Sequence, residues 1–172
     1  MSQRGGIVLV DTNIILECFR ARCWNAVSKY YCLETVEECY QEALTGNPHR
    51  PGHVTVDPEA LRKGLNNIHR IPEIDRVRLA LALPTSDALD AGERDLFAYA
   101  LSAPGSWMAS SADRAALNAA FALGWMERMV SLAEMASNAG ARPALKLQFS
   151  ASWLSEVRTA YHLGLPLRRN GI

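Results

Sequence analysis

The sequence carries no surplus of charge. Lys and Arg together number 18, as do Asp and Glu, leaving a formal net charge of +0 at neutral pH. Nucleic-acid binders commonly show a basic excess, so a polyanion would have to be held through a metal ion or local positive patches. Arg20 with Arg22, the 69–78 stretch, and Arg168 with Arg169 are the candidate patches, and a solvated charged face is the simpler reading of each. No apolar run approaches the ~20 residues of a membrane span; the run over 115–126 is too short and is broken by Asn118. The opening Met1-Ser-Gln-Arg-Gly-Gly holds no signal-peptide hydrophobic region, so a cytoplasmic protein with no membrane partner is expected. Cys18, Cys23, Cys32 and Cys39 contain no Cys-x-x-Cys pair, which argues against a zinc site and for reduced, buried thiols. His49, His53, His69 and His162 are scattered without metal-ligand spacing. There is no internal repeat and no low-complexity tract.

What is present is a core and a rhythm. A chain of 172 residues with 49% hydrophobic content can bury a full core and is expected to form one domain, 1–172. Ile7-Val-Leu-Val10 reads as a strand buried on both faces, as in the centre of a parallel sheet. Further strands are expected over 31–34, 53–56, 107–110 and 128–132. Helices are expected over 14–29, 36–44, 58–68, 73–83, 90–101, 113–123, 133–139 and 152–162, with a turn-rich loop at 46–52. Strands alternating with helices imply a parallel sheet with right-handed crossovers. Leu154, Val157, Tyr161 and Leu165 line one face of the last helix. Core packing is the default for such a stripe; a homodimer or other protein contact is the alternative.

The chemistry lies in the acids and where they fall. The first strand stops at Asp11, a carboxylate at the carboxyl end of a strand, where open α/β sheets bind ligands. Thr12 and Asn13 follow, short polar side chains able to cap a helix and hydrogen-bond the carboxylate. Thr35 followed three positions later by Glu38 reads as a capping box, with Glu38 one turn into the helix. Leu89-Asp-Ala-Gly-Glu-Arg-Asp95 opens another helix with Glu93 and Asp95 in its first turn, where acids favour the dipole. Trp107-Met-Ala-Ser-Ser-Ala-Asp113 repeats the first arrangement: strand end, carboxylate, helix start. Each acid alone reads as a helix cap or dipole partner. The ordered set is harder to explain that way, because clustered carboxylates repel and cost stability.

Taken together these motifs resemble the PIN domain family of metal-dependent ribonucleases, which includes VapC-type toxins. Val10-Asp11-Thr12-Asn13 matches the family's first motif, and Thr35 with Glu38 its second. Leu89, Gly92, Glu93 and Asp95 match the third in its Gly-Glu branch, and Ser110-Ser111-Ala112-Asp113-Arg114 matches the fourth. The resemblance spans residues 5–130 and leaves 131–172 as an elaboration. It implies a PIN-like α/β/α sandwich with a central, mainly parallel sheet. It also implies an endoribonuclease using Mg²⁺ or Mn²⁺ to hydrolyse RNA, working as the toxin of a toxin–antitoxin pair with a protein antitoxin as partner. Asp11, Glu38, Asp95 and Asp113 would be the metal ligands and catalytic acids. Glu93 would replace or assist Asp95, and Asn13 and Ser111 would orient ligands or a phosphate. Such a site suits the chemistry: Mg²⁺ takes oxygen ligands and keeps several waters, so a few converging carboxylates suffice. The alternative is a non-catalytic PIN-like module in RNA processing or protein assembly, which would bind Mn²⁺ weakly or not at all.

Overall fold

The computed structural model describes residues 5–46 and 52–165. Within them, β1 (Ile7–Val10), β2 (Cys32–Val36), β3 (Leu65–His69) and β4 (Trp107–Ser110) form one sheet in the order β3-β2-β1-β4, every pairing parallel. β1 is central because every residue in it can be buried. Val8, Leu9 and Val10 are at most 1% exposed. Successive side chains of a strand point to opposite faces, so Val8 and Val10 enter one core and Leu9 the other. Burying one such side chain contributes roughly 1.5–3 kcal/mol.

Helices cover both faces, giving an α/β architecture of three layers. The Val8/Val10 core receives α1 (Thr12–Arg20), α2 (Trp24–Tyr30), α4 (Pro58–Gly64) and α8 (Leu132–Asn138). The Leu9 core receives α5 (Glu73–Ala82), α6 (Ala91–Ser102), α7 (Arg114–Ala122) and α9 (Ala151–His162). The ninth helix of the described residues, α3 (Glu37–Thr45), puts Cys39 into the second core and Ala43 into the first. None of these helices is long and apolar enough to cross a membrane.

Four expectations from sequence are corrected. The helix expected over 14–29 is two helices. Arg22 takes a left-handed conformation (φ 58°) after α1, and the Cys23 amide bonds the Cys18 carbonyl (2.9 Å) while the Arg22 amide bonds that of Phe19 (3.2 Å). That is a Schellman ending, built without the glycine that would have advertised it. The helix expected over 58–68 stops at Gly64, where any Cβ would lie 2.5 Å from the Trp24 indole nitrogen, and the chain continues as β3. No strand forms over 53–56. The strand expected over 128–132 shrinks to one parallel bridge between Ala109 and Met129, because Ser131 opens α8 with a capping box.

In the tail, Leu154 and Val157 are buried in the core as their stripe implies, with Trp153 beside them, whereas Leu165 is 54% exposed. Arg168, Arg169, His49 and most of the 46–52 loop lie outside the described residues.

Candidate acidic site

Three helix N-termini meet at the carboxyl edge of the sheet, and each is capped by an acid. Asp11 caps α1, its Oδ1 accepting from the Ile14 amide at 2.9 Å. Asp113 caps α7, with Oδ1 accepting from Ala115 at 2.7 Å and Ala116 at 3.4 Å. Asp90 caps α6 in a reciprocal box: its Oδ1 accepts from the Glu93 amide at 2.8 Å, and Glu93 Oε2 accepts from the Asp90 amide at 3.3 Å. The positive ends of the helix dipoles partly offset the repulsion of acids held this close.

Capping uses only one oxygen of each key carboxylate. Asp11 Oδ2 and Glu93 Oε1 are buried and have no hydrogen-bond partner among the described residues. Asp11 and Glu93 line a small cavity with Thr12, Asn13 and Asp90, of about 10 Å³, the space of about one water-sized sphere. A carboxyl buried away from water resists ionisation. Burial pushes the Asp11 carboxyl up to about 6; the Ser111 side chain and Ile14 amide pull it down, while the charges of Asp90 and Asp113 raise it further. Glu93 is pushed up to about 8 by burial and then by the charges of Asp113, Asp90 and Asp11, with only the Asp90 amide opposing. The charges of Asp90 and Asp113 thus act on both Asp11 and Glu93.

The sequence-predicted acids divide. Asp11, Glu93 and Asp113 converge, the Ser111 side chain acts on Asp11, and exposed Asn13 stands at the cavity rim. Asp95 does not join them. Arg76 on α5 grips it with Nε at 2.7 Å and Nη2 at 2.9 Å. Glu38 is exposed, and its expected capping box with Thr35 does not exist. Thr35 is buried within β2 and donates to the Val10 carbonyl at 2.7 Å, while α3 starts from Val36 with no side-chain cap. The physical reason is register: β2 runs two residues further than expected, so Thr35 belongs to the sheet.

Two acids were missed. Asp90 was visible as the Asp-x-x-Glu spacing of a capping box with Glu93. Glu42 stands one turn after Glu38 on the same face of α3 and accepts from Thr12 Oγ1 at 2.6 Å. Burial, opposed by the Thr12 hydroxyl, lifts the Glu42 carboxyl above its ordinary value, with Asp90 and Glu38 adding. Gly92 lets α6 come this close: a Cβ there would sit 2.8 Å from Cys39 Sγ and 3.0 Å from Glu42 Oε2. Cys39 itself is an inert thiol, pushed up to about 12 by burial and the Asp11 charge.

Asp11 and Glu93 are the residues whose bare oxygens would hold a divalent cation. Among the described residues no three His, Cys, Asp or Glu side chains stand close enough to enclose one ion, so an ion here would be held by at most these two carboxylates, and the waters of its shell would lie outside a cavity with space for about one water-sized sphere. Mg²⁺ usually keeps several waters and takes one or two carboxylates. The basic patches read from sequence are largely committed elsewhere: Arg20 to Glu17, Arg76 to Asp95 and Glu73, Arg78 to Asp75.

Fold and site together define an α/β protein with a parallel sheet and a carboxylate cluster at the sheet's carboxyl edge. No protein-family model matches the chain, and no curated protein or solved structure matches it significantly.

Proposed function

We propose that this chain is a PIN-like, Mg²⁺- or Mn²⁺-dependent endoribonuclease. The observation that carries the reading is the pair of buried, partnerless carboxylate oxygens on Asp11 and Glu93, set among further acids at a sheet edge. A cluster of this kind is costly without a cation and is poorly explained by helix capping, which one oxygen of each group already satisfies. Asp11 and Glu93 would hold the ion, with Asp113 and Asp90 contributing charge and contacts through water. A bound ion supplies a water of lowered pKa and neutralises charge developing on the phosphate. Ser111 would hold the Asp11 carboxylate in place, and Asn13 would orient the phosphate at the rim. On the motif resemblance, the setting is that of a toxin restrained by a protein antitoxin.

The test is cleavage of single-stranded RNA with Mn²⁺, compared in wild type and Asp11→Asn, with Mn²⁺ affinity measured by calorimetry on both. Asn retains shape and capping ability but not charge, so Asp11→Asn should lose cleavage and Mn²⁺ binding without unfolding. Its metal-free stability should hold or rise, by up to about 3 kcal/mol if the whole burial penalty is relieved. Full cleavage by the variant would remove Asp11 from the site. A wild type that neither binds Mn²⁺ nor cuts RNA would favour the non-catalytic module.

A further inference from the structure

Beside the acidic cavity lies a second, larger cleft of about 260 Å³, and the two share a wall. Asn13 lines both, and Asp113, which acts on Asp11 and Glu93, lines the cleft. Lys146, Gln148 and the buried Phe149 also line it. These residues belong to the segment between α8 and α9, to which the motif resemblance assigns nothing. At this size the cleft falls below the ~300–1,000 Å³ of a typical small-molecule pocket. It is open and polar, and suits one phosphate group with its waters.

The wall is built, not draped. Glu17 on α1 is only 3% exposed, and its Oε1 accepts from the Lys146 backbone amide at 2.9 Å. Arg20 neutralises Glu17 through Nε at 2.7 Å and Nη2 at 2.6 Å, and the same Nη2 donates to the Ala144 carbonyl at 2.7 Å. Two residues of α1, the helix that Asp11 caps, thus fix the backbone carrying Lys146 relative to the acidic site. Arg20 is the ion-pair partner of Glu17, while Lys146, whose charge also acts on Glu17 from further away, is exposed at the cleft and in no ion pair within 4 Å among the described residues. A cation there meets a need of the chain as a whole. A neutral protein with an acidic centre repels a polyanion unless some positive charge lies beside that centre.

We infer that Lys146 and Gln148 form the subsite that holds a phosphodiester flanking the scissile one in single-stranded RNA. Lys146 pairs with the phosphate as a charged donor, Gln148 donates a neutral hydrogen bond, and Glu17 with Arg20 positions both. The inference rests on the reading of the acidic cluster as a phosphodiesterase centre, and its test separates the two. Lys146→Ala, Gln148→Ala and Lys146→Arg change exposed or half-exposed side chains and leave the backbone amide that Glu17 binds. Binding of a short fluorescein-labelled single-stranded RNA is followed by anisotropy in EDTA across a salt series, and Mn²⁺ affinity is measured separately by calorimetry.

Lys146→Ala is expected to weaken RNA binding by about tenfold and to reduce the slope of log K against log salt by ~0.7, the loss of one phosphate contact to a single strand. Gln148→Ala weakens binding less and leaves the slope, Lys146→Arg retains both, and Mn²⁺ affinity stays at the wild-type value in all three. Wild-type RNA affinity and salt slope in Lys146→Ala, or no RNA binding by the wild type, overturns the subsite even if Mn²⁺ binds. RNA binding that depends on Lys146 in a protein with no Mn²⁺ affinity upholds the subsite and removes the nuclease reading instead.

Discussion

Glu93 and Asp95 stand two positions apart on α6 and meet opposite fates. Two residues of a regular helix diverge by about 200° around its axis, so one faces the acidic cavity and the other faces α5. The motif pattern favours Asp95 as the metal ligand with Glu93 as substitute. The structure instead commits both Asp95 oxygens to Arg76 and leaves a Glu93 oxygen bare. The variants should therefore part. Glu93→Gln is expected to lower Mn²⁺ affinity by about tenfold or more, the scale seen when a metal site loses a supporting group. Asp95→Asn is expected to keep that affinity and to cost about 1–2 kcal/mol of stability. The cost lies above that of an exposed pair because Asp95 is buried, and below a fully buried one because the Arg76 side chain is 39% exposed. Calorimetry with Mn²⁺ beside a urea melt decides, and loss of Mn²⁺ binding in Asp95→Asn alone would restore the motif's order of preference.

At the scale of elements, the site is a meeting of helix starts. α1, α6 and α7 each bring a capping acid and the positive end of a dipole to one sheet edge. Each acid thus has a local structural role as well as a collective one, and the two can be separated at Asp113. Asn caps a helix about as well as Asp, whereas Ala does not. Asp113→Ala should lose about 1 kcal/mol of stability from α7 with or without metal. Asp113→Asn should retain metal-free stability, while the rise in melting temperature produced by Mn²⁺ shrinks. An equal Mn²⁺ response in wild type and Asp113→Asn would make Asp113 a cap and nothing more.

Across the whole molecule the cluster makes stability depend on pH in an uncommon direction. Paired carboxylates ordinarily have lowered pKa values and destabilise a protein as pH falls. Asp11 and Glu93 are raised instead, to about 6 and about 8 from 3.8 and 4.5. Between those limits the native state binds more protons than the unfolded chain, so these two groups add stability as pH falls from about 8 toward about 4.5 and add nothing more below about 4. The metal-free protein should melt higher at about pH 5.5 than at about pH 8, by an amount on the order of 2–4 kcal/mol. Mn²⁺ competes with those protons, so its stabilising effect should grow over the same rise in pH. A scanning series with and without Mn²⁺ tests both signs, and a metal-free melting temperature that climbs steadily with pH would contradict a buried acid cluster.

What the sequence determined by itself is what local physics encodes. Four apolar residues make β1 a central strand, Asp11 must follow it, and Trp107–Ser110 with Asp113 repeats the arrangement, because strand burial and N-capping involve only near neighbours. The Asp90–Glu93 capping box is equally local, an Asp-x-x-Glu spacing at a helix start. Tertiary structure decided the rest. Asp95 is drawn away by an arginine 19 positions upstream, and Glu42 is drawn in by Thr12 across 30 positions. β3 hides behind an edge-strand pattern with exposed Asn66 and Asn67, and its start is set by Gly64 packing on Trp24. The α1–α2 break turns on a left-handed Arg22 that no turn residue announces. The Lys146 wall depends on Glu17 reaching across 129 positions. Contacts of that span leave no period and no spacing in the chain, since they exist only once the two cores have packed and brought the helix starts to one edge.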